Sequence, residues 1–211
     1  MPHLLSDGPA DARDHVRLAH GAGAPMTSPF MTAMADLLAA RGLRVSRFEL
    51  AYMAARRGGG ALRPPPKAEL LMGEYDAVAR ALAVRRGQRL LIGGKSLGGR
   101  VASLVAGQLF SGGAIAGLVC LGYPFHPPGR PESLRTAHLA GLRCPALIVQ
   151  GERDPFGTRA EVEGYRLSPA IRLHWAADGD HDLAPRRTSA TDHARNLAAA
   201  AGAIAEFASG V

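Results

Sequence analysis

Residues 89–100 constrain this chain more than any other stretch. They read Arg-Leu-Leu-Ile-Gly-Gly-Lys-Ser-Leu-Gly-Gly-Arg. Leu90–Ile92 is an apolar run of buried-strand character, and Val101–Leu109 continues with helical spacing. Between them, Gly94-Lys95-Ser96-Leu97-Gly98 leaves room only for a tight turn. Strand, G-x-S-x-G turn and helix together form the signature of a nucleophile elbow. A serine aimed off the top of a sheet sits on strained backbone, which tolerates only small neighbours two positions to either side. Gly94 and Gly98 supply them. The pentapeptide by itself is weak in a chain holding 26 glycines, so the rest of the sequence has to supply partners for the serine.

The flanking sequence alternates between the two periodicities. A short strand is expected at Leu4-Leu5 and another at Val16–Ala19, which runs into the low-bulk loop His20-Gly-Ala-Gly-Ala-Pro25. Ser28-Pro29 opens a helix over Phe30–Ala40, with serine at the cap and proline at the first helical position. Arg44–Leu50 reads as a strand and Arg56–Pro66, with runs of glycine and proline, as a loop. Lys67–Arg85 carries Leu70, Leu71, Tyr75, Val78, Leu82 and Val84 at helical spacing, ended by Gly87. After the elbow helix come strand Leu118–Leu121, a weakly helical Pro131–Leu142 and strand Pro145–Gln150. A short helix Arg159–Tyr165, strand Ile171–Trp175 and closing helix Thr191–Ala208 complete the chain. This alternation implies an α/β fold: a mostly parallel central sheet with helices on both faces. The 211 residues fit one domain, 1–211, with no insertion large enough for a separate lid domain.

In an open parallel sheet, function gathers in loops leaving the carboxyl ends of the strands. Ser96 follows one strand, Asp154 a later one and His181 the last, with room between the latter two for one helix and one strand. The order Ser…Asp…His is that of an α/β-hydrolase triad. Each role has a chemical reason. A serine hydroxyl needs a base to take its proton during attack, a histidine can accept and return that proton near neutral pH, and an aspartate holds the imidazole tautomer. The loop at His20–Gly23 falls where an oxyanion hole belongs. Its small residues leave backbone N–H groups accessible, and the Ala22 amide is expected to pair with that of Leu97. His20 itself is expected to order that loop, and His126 to be a pocket wall or an exposed loop residue. Asp178, Asp180 and Asp182, around His181, are alternative orienters. Met26, Tyr123, Phe125 and Phe156, all in loops at the sheet top, are candidates for the acyl pocket. Lys95, beside the serine, either adds positive potential for an acidic substrate or packs its stem and points to solvent.

Other chemistries fail on spacing. Gly94-Lys95-Ser96 imitates the end of a phosphate-binding P-loop, but the glycine required five positions earlier is Arg89. Asp178-x-Asp180-x-Asp182 imitates a calcium loop, but its glycine position is Leu183 and its twelfth is Ser189. Cys120 and Cys144 lie in or beside apolar runs and read as buried free thiols. That fits a cytoplasmic protein, and no cluster has zinc spacing. The formal charge of +7 comes mainly from scattered arginines without a basic stripe, so no nucleic-acid partner is expected. No signal peptide or membrane-spanning run is expected either.

The sequence resembles the small α/β-hydrolases related to the testis-expressed protein 30 and NSL complex subunit 3 family, loosely described as dienelactone-hydrolase-like. The resemblance rests on His20–Met26 with Ser28-Pro-Phe30, Gly93–Val101, Cys120–Gly129, Gln150–Gly157 and Gly179-Asp-His181. These motifs span nearly the whole chain. The resemblance implies a lidless hydrolase core with Ser96, Asp154 and His181 at the triad positions, and no particular substrate. Two departures stand out. The residue before the serine is often arginine in that family and is Lys95 here. Asp182-Leu183 follows the histidine, where a serine and an aromatic are expected. The expected function is hydrolysis of a small ester, thioester or related acyl compound without metal or cofactor. The alternatives are an idle hydrolase-fold interaction module, or an acyltransferase or perhydrolase using the same triad.

Overall fold

The computed structural model describes residues 3–57, 64–81 and 87–211. Seven strands form one sheet in the order β1-β3-β2-β4-β5-β6-β7. They are β1 (Leu4–Asp7), β2 (Asp14–Ala19), β3 (Arg44–Phe48), β4 (Arg89–Lys95), β5 (Gly117–Leu121), β6 (Ala146–Gly151) and β7 (Ile171–Ala176). Only β1 runs antiparallel, against β3; all other pairs are parallel. The helices are α1 (Pro29–Ala39), α2 (Ala51–Arg57), α3 (Met72–Ala81), α4 (Leu97–Ser111), α5 (Arg159–Val162) and α6 (His193–Gly210), with a 3₁₀ turn at Ala68–Leu71.

The central strands are apolar throughout because both their faces are covered. Successive side chains point to opposite faces. Leu90, Ile92, Leu118, Cys120, Ala146 and Ile148 enter a core shared with Tyr75, Val101, Val105 and Leu109 from α3 and α4. Leu91, Val119, Leu121, Leu147 and Val149 enter a second core with Met34 and Leu38 of α1 and Leu197 and Ile204 of α6. The expected sheet covered on both faces is therefore present, and among the described residues nothing forms a separate lid domain.

Several local expectations are corrected. Ala51–Arg57 is helix α2, so the expected loop does not begin at Arg56; residues 58–63 lie outside the described residues. The long helix over Lys67–Arg85 is instead a 3₁₀ turn followed by α3, and Leu82 and Val84 lie outside the described residues. Pro131–Leu142 is not helical. Its backbone is drawn to the sheet top, where Arg135 N–H donates to Phe125 O (2.7 Å) and Tyr123 Oη donates to Arg135 O (2.9 Å). Those tertiary bonds replace the i→i−4 pattern that a weak helix would offer. The expected helix at Arg159–Tyr165 shrinks to the single turn α5, closed by Glu161, whose carboxylate accepts from Thr158 N–H (2.8 Å). Ser28 does precede α1 with Pro29 at its first turn, but its hydroxyl makes no capping bond.

Two buried polar side chains fix the strands that carry the site. The hydroxyl of fully buried Tyr75 donates to Gly93 O (2.6 Å) and accepts from Gly93 N–H (2.9 Å), pinning β4 three residues before Ser96. Arg17 on β2 donates to the carbonyls of Val78 (3.1 Å) and Ala79 (2.8 Å) in α3. A buried guanidinium thus satisfies carbonyls toward the carboxyl end of that helix.

Candidate active site

Ser96 stands between β4 and α4 with φ 51° and ψ −112°, in the left-handed half of backbone space that a side chain rarely adopts. Two glycines permit this turn. A Cβ on Gly94 would lie 2.6 Å from Ala19 O and 2.7 Å from the Gly98 carbonyl carbon, and one on Gly98 would lie 2.6 Å from both Ala19 O and His20 O. The elbow, the end of β2 and the start of α4 are packed backbone to backbone. Among the described residues, the non-glycine positions with positive φ are Ser96, Asp178 and Leu183. One carries the serine and the other two flank His181, so local strain concentrates at this end of the sheet.

Asp154 leaves β6 in a turn and is fully buried. Its Oδ2 accepts from His181 Nδ1 (2.8 Å) and Gln150 Nε2 (2.9 Å), and its Oδ1 accepts from Phe156 N–H (2.9 Å). Gln150 is held in turn by Tyr123, whose N–H donates to Gln150 Oε1 (2.7 Å). With Nδ1 donating to the carboxylate, the unprotonated nitrogen of a neutral His181 ring is Nε2, available as a proton acceptor. Phe156 packs on the ring at 4.4 Å between centroids. Ser96 and His181 open onto the same cleft of about 270 Å³, shared with Ala22, Lys95, Phe156 and Asp182. A second cleft, of about 330 Å³, runs from Ser96, Ala22, Leu97 and Phe156 toward Pro124, Arg100 and Arg135.

The two residues expected to offer oxyanion-hole amides both stand on clefts that also hold Ser96. Ala22 lines both clefts and Leu97 the second. Among the described residues neither amide finds an intramolecular acceptor. His20 is buried and orders the loop: its Nδ1 donates to Gly21 O (2.5 Å), leaving Nε2 to accept from Leu50 N–H (3.1 Å). Burial holds its pKa below the ordinary histidine value.

Three of the four pocket candidates are misplaced by the sequence reading. Met26, Tyr123 and Phe125 have no exposed surface and line neither cleft, whereas Phe156 lines both. Tyr123 and Phe125 stack edge to face at 4.9 Å, and Phe125 packs further against Tyr165. They point down into the core, and only Pro124 between them reaches the cleft. His126 is likewise buried and not on an exposed loop, with Nδ1 on Pro127 O (2.8 Å) and Nε2 3.5 Å from the Glu161 carboxylate.

Lys95 is buried and does not point to solvent. Its ammonium donates to His181 O (2.7 Å), pairs with Asp182 (3.1 Å) and lies over the Phe30 ring. Burial pulls its pKa below the ordinary lysine value, and the Asp182 carboxylate opposes that shift. The other aspartates near His181 are also engaged elsewhere. Asp178 pairs with Arg186 and Arg153, which lower its pKa to about 2, and Asp180 accepts from the N–H groups of Asp182 and Ala184. None replaces Asp154 on the ring. Among the described residues no group of three or more His, Cys, Asp or Glu could hold a metal ion, and no helix is long and apolar enough to cross a membrane.

A family profile described as the alpha/beta hydrolase domain matches residues 12–209. This chain belongs to that family. Solved structures share its fold. An α/β serine hydrolase without lid from Xanthomonas campestris is 19% identical, with TM-score 0.68 over 97% of this chain and 86% of the other. A dienelactone hydrolase from Anabaena variabilis is 21% identical, with TM-score 0.66 over 97% and 89%. Est1E from Butyrivibrio proteoclasticus, solved with ferulic acid bound, is 15% identical, with TM-score 0.68 over 97% and 93%. In the α/β-hydrolase fold, the loops at the carboxyl ends of the strands are where reactive groups converge. Ser96, Asp154 and His181 are among the polar residues this chain brings there, beside Lys95 and Asp182.

Proposed function

We propose that this α/β hydrolase is a serine hydrolase that cleaves a small ester, thioester or related acyl compound through Ser96, His181 and Asp154. The observation that carries the reading is the 2.8 Å bond from His181 Nδ1 to a fully buried Asp154, on a ring that shares a cleft with the strained Ser96. In the first half-reaction the Ser96 Oγ–carbonyl bond forms as the hydroxyl proton passes to His181 Nε2. The Ala22 and Leu97 amides would receive the negative charge on the carbonyl oxygen, each such donor being worth ~3 kcal/mol. The bond to the leaving group then breaks as His181 returns the proton to it. Water repeats the sequence in reverse, giving the acid and free Ser96. Lys95 and Phe156 hold the imidazole from its backbone and its face.

The finer kinship proposed is with the testis-expressed protein 30 and NSL complex subunit 3 relatives. The motifs at His20–Met26, Gly93–Val101 and Gln150–Gly157 support it, and it leaves the substrate open. The decisive test is labelling by a fluorophosphonate probe together with hydrolysis of 4-nitrophenyl acetate, wild type beside Ser96→Ala. Both signals are expected in the wild type and lost in the variant. Labelling that survives the substitution removes Ser96 as nucleophile. An unlabelled wild type would instead make the chain a scaffold with an idle triad.

A further inference from the structure

The side of the second cleft away from His181 carries charge that the proposed triad does not use. Arg100 follows Ser96 by one turn of α4, and its N–H donates to Ser96 O (3.0 Å). Residues four apart on a helix share a face about 6 Å apart along the axis, so the Arg100 side chain leaves α4 beside the serine. Arg135 reaches the same cleft from the irregular segment after β5, and Lys67 from the residue before the 3₁₀ turn. The three cations continue into an outer basin that also includes Glu69 and Leu70.

These charges are unbalanced. Among the described residues lining the basin the only acid is Glu69, and it is taken by Arg100 at 2.5 Å. Among the described residues no carboxylate pairs with Arg135 or Lys67. The backbone of Arg135 is fixed, its N–H and its carbonyl both tied to the buried Tyr123–Phe125 turn, and its side chain leaves that anchor half-buried. Its pKa is lowered by burial and then by the neighbouring Arg100 charge. Glu69 offsets part of that charge, but three cations on one cleft against a single carboxylate leave room for a further anion, which planar guanidinium binds with good geometry. Lys95 does not share this role, since Asp182 already neutralises it and it faces the His181 carbonyl. The cluster is small and walled by Pro65, Pro66 and Pro124, the dimensions of a small-molecule site. Leu70, 76% exposed, sits in the outer basin.

We propose that Arg100, Arg135 and Lys67 form an anion subsite, and that the substrate of Ser96 is an ester or thioester bearing a carboxylate or phosphate about one helical turn from the scissile carbonyl. This rests on the serine-hydrolase reading above. The anion anchors the substrate one turn along α4 from the serine and sets which carbonyl reaches Ser96.

Two measurements test it. In Ser96→Ala protein, monomethyl glutarate and methyl phosphate are titrated by calorimetry against neutral dimethyl glutarate. At least one anion is expected to bind tenfold or more tighter than the neutral diester, and the two arms show whether carboxylate or phosphate is the preferred group. Arg135→Glu in that background is expected to abolish the preference. Equal binding of charged and neutral compounds, or a preference that survives Arg135→Glu, overturns the proposal. Turnover is not involved, so this outcome is separable from loss of the Ser96 reading, which the fluorophosphonate probe reports by itself. In active protein, the kcat/KM ratio of 4-nitrophenyl hemiglutarate to 4-nitrophenyl valerate is expected to exceed ten and to fall at least tenfold in Arg135→Glu. An unchanged ratio overturns the subsite. Lys67→Glu, at an exposed position, gives the same ratio test should Arg135 variants fail to fold.

Discussion

Replacing Asp154 by asparagine removes one charge and almost no volume, so the hydrogen-bond partners around the side chain decide its effect. Three donors converge on the carboxylate: His181 Nδ1 and Gln150 Nε2 on Oδ2, and Phe156 N–H on Oδ1. An amide offers one oxygen and one NH₂. With the oxygen toward His181, the NH₂ faces the Phe156 N–H at 2.9 Å, donor against donor. With the oxygen toward Phe156, the NH₂ faces Gln150 and donates to His181 Nδ1. That places the ring proton on Nε2, where it can no longer accept from Ser96. Either orientation leaves a buried donor unsatisfied, at about 1–3 kcal/mol of stability. The second also locks the wrong tautomer, which in a serine triad lowers kcat by about 10⁴. The expected result for Asp154→Asn is a folded protein with a modestly lower melting temperature and kcat down by about 10³–10⁴ on 4-nitrophenyl acetate. Activity within tenfold of wild type, with the melting shift present, would refute Asp154 as the group that orients His181.

The same geometry makes further perturbations informative. Lys95→Met keeps the stem but removes the donor on the His181 carbonyl, so kcat should fall about tenfold in steady-state assays and stability by about 1–3 kcal/mol in chemical denaturation. Phe125→Ala should cost about 3–5 kcal/mol of stability, because the ring is core. Phe156→Ala should instead raise KM for aryl esters, since that ring lines both clefts; denaturation and kinetic profiles of the two variants separate these effects. His15 is held down to about 4 by burial and by the charges of Arg17 and Arg44. Between its ordinary value of 6.5 and 4 the unfolded chain binds more protons than the folded one. Stability should therefore be full above pH 6.5 and fall by about 1–2 kcal/mol as pH drops through that window, after discounting for the ring's partial exposure. His15→Asn should flatten that part of the pH–stability curve.

The sites legible in the sequence are those set by local backbone demands. Gly94 and Gly98 announce the elbow because a Cβ at either position would lie within 3 Å of neighbouring backbone atoms. Asp154 and His181 are legible because each closely follows an apolar run of strand type, and chain order then limits which loops meet at the sheet top. Helix α2 and the irregular 131–142 segment are not legible. Their conformations depend on what they dock against, and Arg135 in particular is placed by bonds to Tyr123 and Phe125. Gln150, which anchors Asp154 from below, reads in the sequence only as the polar end of a strand.

Periodicity, glycine placement and chain order are local or topological properties, and they suffice for the alternating α/β architecture, the strained serine turn and the choice of its two candidate partners. Which way side chains at the sheet top face is a matter of packing, settled only by the folded chain. Tyr123 and Phe125 turn into the core because the sheet end offers apolar volume below them, and Phe156 turns toward His181. The question of substrate charge moves in the same way. Lys95, adjacent to the serine in sequence, is neutralised by Asp182 and spends its ammonium on the histidine loop. Arg135 and Lys67, which no carboxylate pairs among the described residues, come from distant segments and meet beside Ser96 only once the chain has folded.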